Sequence, residues 1–135
     1  LINQWGKGTV IHFAFLPGLA YAKDARRAEG KVVVGYLDSE RQLITAGARL
    51  ARVIRPVECS APLIEASLLS SSKGSVVPLA NWSMEPIRAL TVILRPPKQV
   101  KAVESVKQGK LRFKTVPGGI QVTLPLESTD MLLVR

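Results

Sequence analysis

His12 and Cys59 are the single histidine and the single cysteine of this chain. A serine–histidine–acid triad would have to be built on His12. That residue sits inside the apolar run "GTVIHFAF", and no G-x-S-x-G elbow occurs anywhere in the sequence. His12 is therefore read as a structural histidine rather than a base. Cys59 lies among apolar neighbours in "PVECSAPLIEA" and reads as a small, half-buried thiol, not a nucleophile. A lone cysteine also excludes an internal disulfide and a cysteine-rich zinc site. A glycosidase needs two carboxylates flanking a cleft. Glu58, Glu65, Glu85, Glu127 and Asp130 are present, but nothing in their spacing pairs two of them or forms a metal-ligand set. No catalytic residue, metal or cofactor is expected. Gly6-Lys7-Gly8-Thr9 has the flavour of a phosphate loop, yet its glycines precede a strand instead of opening a helix. It is read as a tight turn.

Binding character concentrates at Asn81-Trp82-Ser83, inside "VVPLANWSMEPIRALTVIL". β-Sandwiches that bind sugars do so with exposed aromatics. From Val57 onward Trp82 and Phe113 are the only candidates. In "SVVPLANWS", Trp82 shares its parity with Val76 and Ala80, so the favoured expectation is a plug at a strand corner. The alternative is a carbohydrate-binding module using Trp82 and Asn81. Asn81-Trp82-Ser83 also matches the N-glycosylation sequon.

Length bounds the rest. A chain of 135 residues holds one ordinary domain, or a small domain and a piece of another. No apolar run approaches the roughly 18 residues of a membrane span, so no membrane partner is expected. The chain begins at Leu1, without Met and without a signal-peptide pattern, which reads as a fragment or a processed product. The net charge of +9 is spread over both halves. Its densest stretch runs from Arg95 to Lys114, with only Phe113 interleaved. Nucleic-acid binding needs a patch together with stacking aromatics or a reading helix, so a solvated face is expected and a nucleic-acid partner is not.

Two textures follow along the chain. "GKGTVIHFAFLPG" reads as a strand buried on both faces and stopped by Pro17-Gly18. "YAKDARRAEGK" reads as a loop and "VVVGY" as a short β-branched run. In "DSERQLITAGARLARVI", Leu43, Ala46, Leu50 and Val53 recur at helical spacing. Ser39 and Gln42 suggest a capping box, and Pro56 a stop. This is the one helix expected. From Pro56 the chain is strand and turn throughout, with turn signals every eight to twelve residues. "IQVTLPL" alternates, with Ile120, Val122, Leu124 and Leu126 on one side. The expected fold class is mainly β: an antiparallel, immunoglobulin-like β-sandwich over residues 56–135, preceded by a short α/β segment with one helix over 1–55.

The segments "GKGTVIHFAFLPGLAY", "RQLITAGARLARVIRPVECSAPLIEASLL", "GSVVPLANWSMEPIRALTVIL" and "IQVTLPLESTDMLLVR" together resemble the C-terminal part of large bacterial glycoside-hydrolase-like proteins. In those, a glutamine-amidotransferase-like domain, akin to the trimerisation domain of β-galactosidases, precedes a β-sandwich. The resemblance implies an accessory module whose partner is the upstream domain of the same protein, with catalysis carried upstream. It leaves a carbohydrate ligand, a homo-oligomer and a secreted or periplasmic location open, and it carries no catalytic residue onto this chain.

Overall fold

The structure is a computed structural model. It describes residues 1–23, 26–27, 33–34, 37–96 and 98–135. The chain forms two compact units, Leu1–Ile54 and Arg55–Arg135.

In the first unit, strands β1 (Ile2–Trp5) and β2 (Gly8–Ile11) form an antiparallel hairpin. Gly6 takes φ +59 in its two-residue turn, a backbone position that glycine adopts without strain. The Gly-Lys-Gly stretch is thus a turn. The strand expected to be buried on both faces is not buried: β2 is an exposed hairpin arm that ends at Ile11. Pro17 does not merely stop a strand. It occupies the first turn of helix α1 (Pro17–Ala22), where its missing N–H costs nothing. Strands β3 (Arg26–Arg27) and β4 (Val33–Val34) pair antiparallel. The loop expected over "YAKDARRAEGK" and the run "VVVGY" otherwise lie largely outside the described residues.

The single expected helix is two: α2 (Asp38–Ile44) and α3 (Ala46–Leu50). With α1 that makes three among the described residues, against the one expected. The break falls at Thr45, whose Oγ1 donates to the Arg41 carbonyl at 2.9 Å. Thr45 N–H donates to the same carbonyl at 3.0 Å, and the residue leaves the helical region at φ −89, ψ 0; a hydroxyl back-bonded in this way bends a helix. The capping box does not form: Ser39 Oγ donates to Glu40, and Arg41 pairs with Asp38. Nor does Pro56 end the helix. Val53 N–H donates to Ala48 O and Arg52 N–H to Arg49 O, with Arg52 at φ +52, a Schellman closure before Pro56 is reached. None of residues 1–23 and 37–54 is buried.

The second unit has a closed core. Its strands are β5 (Val57–Cys59), β6 (Ile64–Ala66), β7 (Leu69–Ser71), β8 (Gly74–Asn81), β9 (Ile87–Leu94), β10 (Val103–Ser105), β11 (Gly109–Leu111), β12 (Phe113–Val116), β13 (Gly119–Leu126) and β14 (Thr129–Val134). One sheet runs β12-β13-β9-β5. The other runs β11-β10-β14-β8-β6, with β7 also paired to β8. All these pairings are antiparallel. The architecture is the β-sandwich expected. Alternation supplies the core: Ile120, Val122, Leu124 and Leu126 of β13 face inward with Leu90, Val92 and Leu94 of β9. They meet Val77, Leu79, Leu132 and Val134 from the other sheet. Each fully buried leucine or valine contributes about 1.5–3 kcal/mol. Pro125 sits where the β13–β9 register shifts, a place that needs no ladder N–H.

The two outer faces differ. On the β12-β13-β9-β5 sheet, Lys114, Gln121, Thr123, Thr91 and Glu58 point outward around Ile93, a largely polar surface. On the other sheet the outward positions of β8 and β14 include Val76, Pro78, Ala80, Met131 and Leu133, with Thr129 beside Ala80.

Candidate functional site

The groove and corner at one end of the apolar outer face hold the residues singled out from the sequence. The corner after β8 is made by Asn81, which points inward and is 8 % exposed. Its Nδ2 donates to the carbonyls of Glu85 (2.8 Å) and Glu127 (2.7 Å). Its Oδ1 accepts from Ser83 N–H (3.0 Å) and Ser83 Oγ (2.6 Å). An amide side chain has two donors and two acceptor sites, and all four are used. Asn81 thus ties the β8–β9 corner to the β13–β14 turn and has no capacity left for a ligand. The expectation that Asn81 binds ligand meets this physical obstacle. So does the sequon, whose acceptor nitrogen is buried and engaged in the folded unit.

Trp82 is not the plug expected. The inward parity of β8 is that of Val77, Leu79 and Asn81, so the parity of Val76, Ala80 and Trp82 is outward. Trp82 is 52 % exposed. Its backbone N–H donates to Leu63 O (2.9 Å), and its indole Nε1–H donates to Glu65 Oε2 (2.9 Å). The inference failed because both parities of β8 are apolar, so the pattern alone does not say which side is the core.

Beside Trp82, between β6, β8, β14 and the β10–β11 turn, lies a groove of about 460 Å³. Its lining includes the outward Pro78, Ala80 and Met131, with Glu65, Ser67 and Lys107 among the polar residues. Small-molecule sites span about 300–1,000 Å³. Glu65 faces Ala80 across β6 and β8, which places the carboxylate both on the groove and on the indole. Sequence reasoning passed over Glu65 as ordinary surface. The available signal was its position one strand from an outward row running Val76, Pro78, Ala80, Trp82.

Hydrolysis needs a second carboxylate. Asp130 contributes to the groove lining but is turned inward. Ser105 Oγ donates to its Oδ2 (2.5 Å), and Met131 N–H (2.7 Å) and Lys107 N–H (3.3 Å) donate to its Oδ1. That carboxylate pins the start of the β10–β11 turn. Glu58 lies on the opposite sheet, with Arg95 Nη1 at 3.1 Å. No acid pair is therefore assembled at the groove. Cys59 is half-buried on β5. Burial pushes its thiol pKa up, and the Arg55 charge pulls it only partly back, which disfavours the nucleophilic thiolate. His12 is exposed just beyond β2, and its imidazole makes no hydrogen bond or ion pair among the described residues. Among the described residues no group of three or more His, Cys, Asp or Glu could hold a metal ion. No helix among them is long and apolar enough to cross a membrane.

The fold and groove together define an antiparallel β-sandwich with a shallow surface site and no acid–base pair on it. Among solved structures, the chain is similar to the alpha-L-fucosidase isoenzyme 2 from Paenibacillus thiaminolyticus, with a TM-score of 0.58 and 20 % identity. The match covers 71 % of this chain and 17 % of that enzyme's. No protein-family model matches the sequence, and no curated protein does. The likeness supports the fold; the chain spans about a sixth of the length of the enzyme it matches.

Proposed function

We propose that this chain is a non-catalytic accessory region of a larger, glycoside-hydrolase-like protein. In this reading, residues 56–135 are its C-terminal sandwich and residues 1–55 are the closing elements of an amidotransferase-like α/β domain. The observation that carries it is that residues 1–23 and 37–54 include none that is buried. The first unit's described elements are four strands in two antiparallel pairs and three helices, yet Trp5 is 80 % exposed, Leu16 71 % and Ile54 74 %. Covering each such side chain is worth about 1.5–3 kcal/mol, and regular elements that leave them bare call for a partner surface. An upstream domain of the same protein supplies it in this reading, and the likeness to a much longer fucosidase points the same way.

Hydrogen exchange tests the proposal. In the isolated chain, amides of residues 2–22 and 38–50 exchange fast while those of β8, β9, β13 and β14 are protected. In a longer product of the same gene, the first set gains protection. Equal protection of both units in the isolated chain refutes the proposal, and so does glycosidase turnover by the 135-residue chain alone.

A further inference from the structure

We propose that the groove beside Trp82 is a carbohydrate-binding subsite that seats one or two sugar rings against the outer face of the β8–β14 sheet. This builds on the accessory-module reading, but rests on observations confined to the sandwich.

A pyranose is amphipathic in a particular way: C–H bonds crowd its faces and hydroxyls project from its rim. The complement is a small apolar floor, an aromatic beside it, and hydrogen-bonding groups around it. The groove has that distribution. Its floor is Pro78, Ala80 and Met131, and its rim carries Glu65, Ser67 and Lys107. Trp82 adjoins through Glu65, which is at once a groove residue and the acceptor of the indole N–H. That bond fixes the indole while leaving it half exposed. A carboxylate has about four acceptor sites on two oxygens; only Oε2 is occupied by the indole, so Glu65 retains capacity to accept from sugar hydroxyls. The volume of about 460 Å³ is small for a protein segment and ample for one or two rings.

The polarity of the two outer faces supports this choice. The opposite sheet sets Ile93 among Thr91, Thr123, Gln121, Glu58 and Lys114 at its outward positions, so polar side chains surround its apolar one. The β8–β14 face carries Met131, Pro78 and Ala80 where an ordinary solvated strand would carry polar side chains. The groove has no second carboxylate aimed into it, so the ligand would be held and not cleaved.

The test is nuclear magnetic resonance titration of the full 135-residue chain with L-fucose, methyl β-D-galactopyranoside, xylobiose and cellobiose. The expected result is saturable shifts with at least one of these sugars. They fall at the Trp82 indole N–H and at the amides of Glu65, Ser67 and Met131, with a dissociation constant on the order of 1 mM. The Trp5 indole resonance stays still and serves as the internal control. Trp82→Ala weakens binding at least about tenfold. Glu65→Gln, which keeps an acceptor for the indole, preserves the spectrum's dispersion but weakens binding. Absence of saturable shifts with all four sugars overturns the proposal. Shifts that persist unchanged in Trp82→Ala, or that appear only at Trp5, overturn it as well. None of these outcomes bears on protection of the first unit, so the two proposals fail separately.

Discussion

Asn81→Ala is the substitution that most directly tests how the corner is held. It removes two donors and one double acceptor, engaging Glu85 O, Glu127 O, Ser83 N and Ser83 Oγ. Three of these four groups belong to the same corner, but Glu127 lies 46 residues away in sequence. The substitution therefore loosens the tie between two chain reversals. At about 1 kcal/mol per hydrogen bond, with the Ser83 hydroxyl free to turn to water, the loss is about 3 kcal/mol. Stability runs at about 0.05–0.15 kcal/mol per residue, so the loss is a large share of what a sandwich of this size holds. Urea titration followed by circular dichroism in the strand band reads it. With a slope of about 1 kcal/mol per molar, the midpoint falls by about 3 M. Trp82→Ala loses less than about 1 kcal/mol, because its hydrogen bond is exposed. A drop below about 0.5 M for Asn81→Ala, or a larger loss for Trp82→Ala, refutes the reasoning and restores the tryptophan as plug. Asn81→Asp sharpens the test. It places carboxylate oxygen against two carbonyls, so the introduced group's pKa rises above its unfolded value. The penalty is then full at neutral pH and shrinks as pH falls through the raised folded pKa toward the unfolded one. Asn81→Ala shows no such recovery.

Two further predictions concern the same unit. A Cβ added at Gly119 would meet the Leu94 carbonyl oxygen of the neighbouring strand, so Gly119→Ala forces β13 from β9 and costs about 2–4 kcal/mol, read as a fall in thermal midpoint. Cys59, with its pKa raised by burial, is alkylated by iodoacetamide more slowly at neutral pH than a free cysteine. Its rate climbs only at more alkaline pH, and a rate equal to that of a model thiol at neutral pH contradicts the burial effect.

The sandwich was legible because its strands carry one-sided patterns. In β13 the inward set Ile120, Val122, Leu124, Leu126 alternates with Gln121 and Thr123, so periodicity and burial coincide. The orientation of β8 was not legible. Val76, Pro78 and Ala80 are as apolar as Val77 and Leu79, and only pairing with β14 decides which row meets the core. Trp82 and Glu65 inherited that ambiguity, as both lie on the outward row or across from it. The helix was legible in its period but not in its continuity. Thr45 back-bonds to Arg41, and a hydroxyl's choice between solvent and the preceding turn leaves no mark on hydropathy. The strand expected over "GKGTVIHFAFLPG" is realised only at Gly8–Ile11, and in other surroundings than expected. Its apolar composition implied burial, while the structure leaves it an exposed hairpin arm. Composition reports what a segment needs to cover it, not whether the cover is present.

That distinction bears on how a corner with no chemistry of its own can serve binding. Trp82 is placed by three restraints: its backbone N–H on Leu63 O, its indole Nε1–H on Glu65, and the side-chain bonds of the preceding Asn81. Glu65 is in turn set by its pairing opposite Ala80. A side chain ordered by folding loses little further freedom when it meets a ligand, and each rotamer-rich side chain ordered at an interface otherwise costs about 0.5–1.5 kcal/mol. For a shallow groove with millimolar affinity, that saving is comparable to the contribution of a single stacking contact. Asn81 is then a positioning residue in the proposed subsite. Its amide is spent on the corner and not on a sugar, and it holds the backbone from which Trp82 projects.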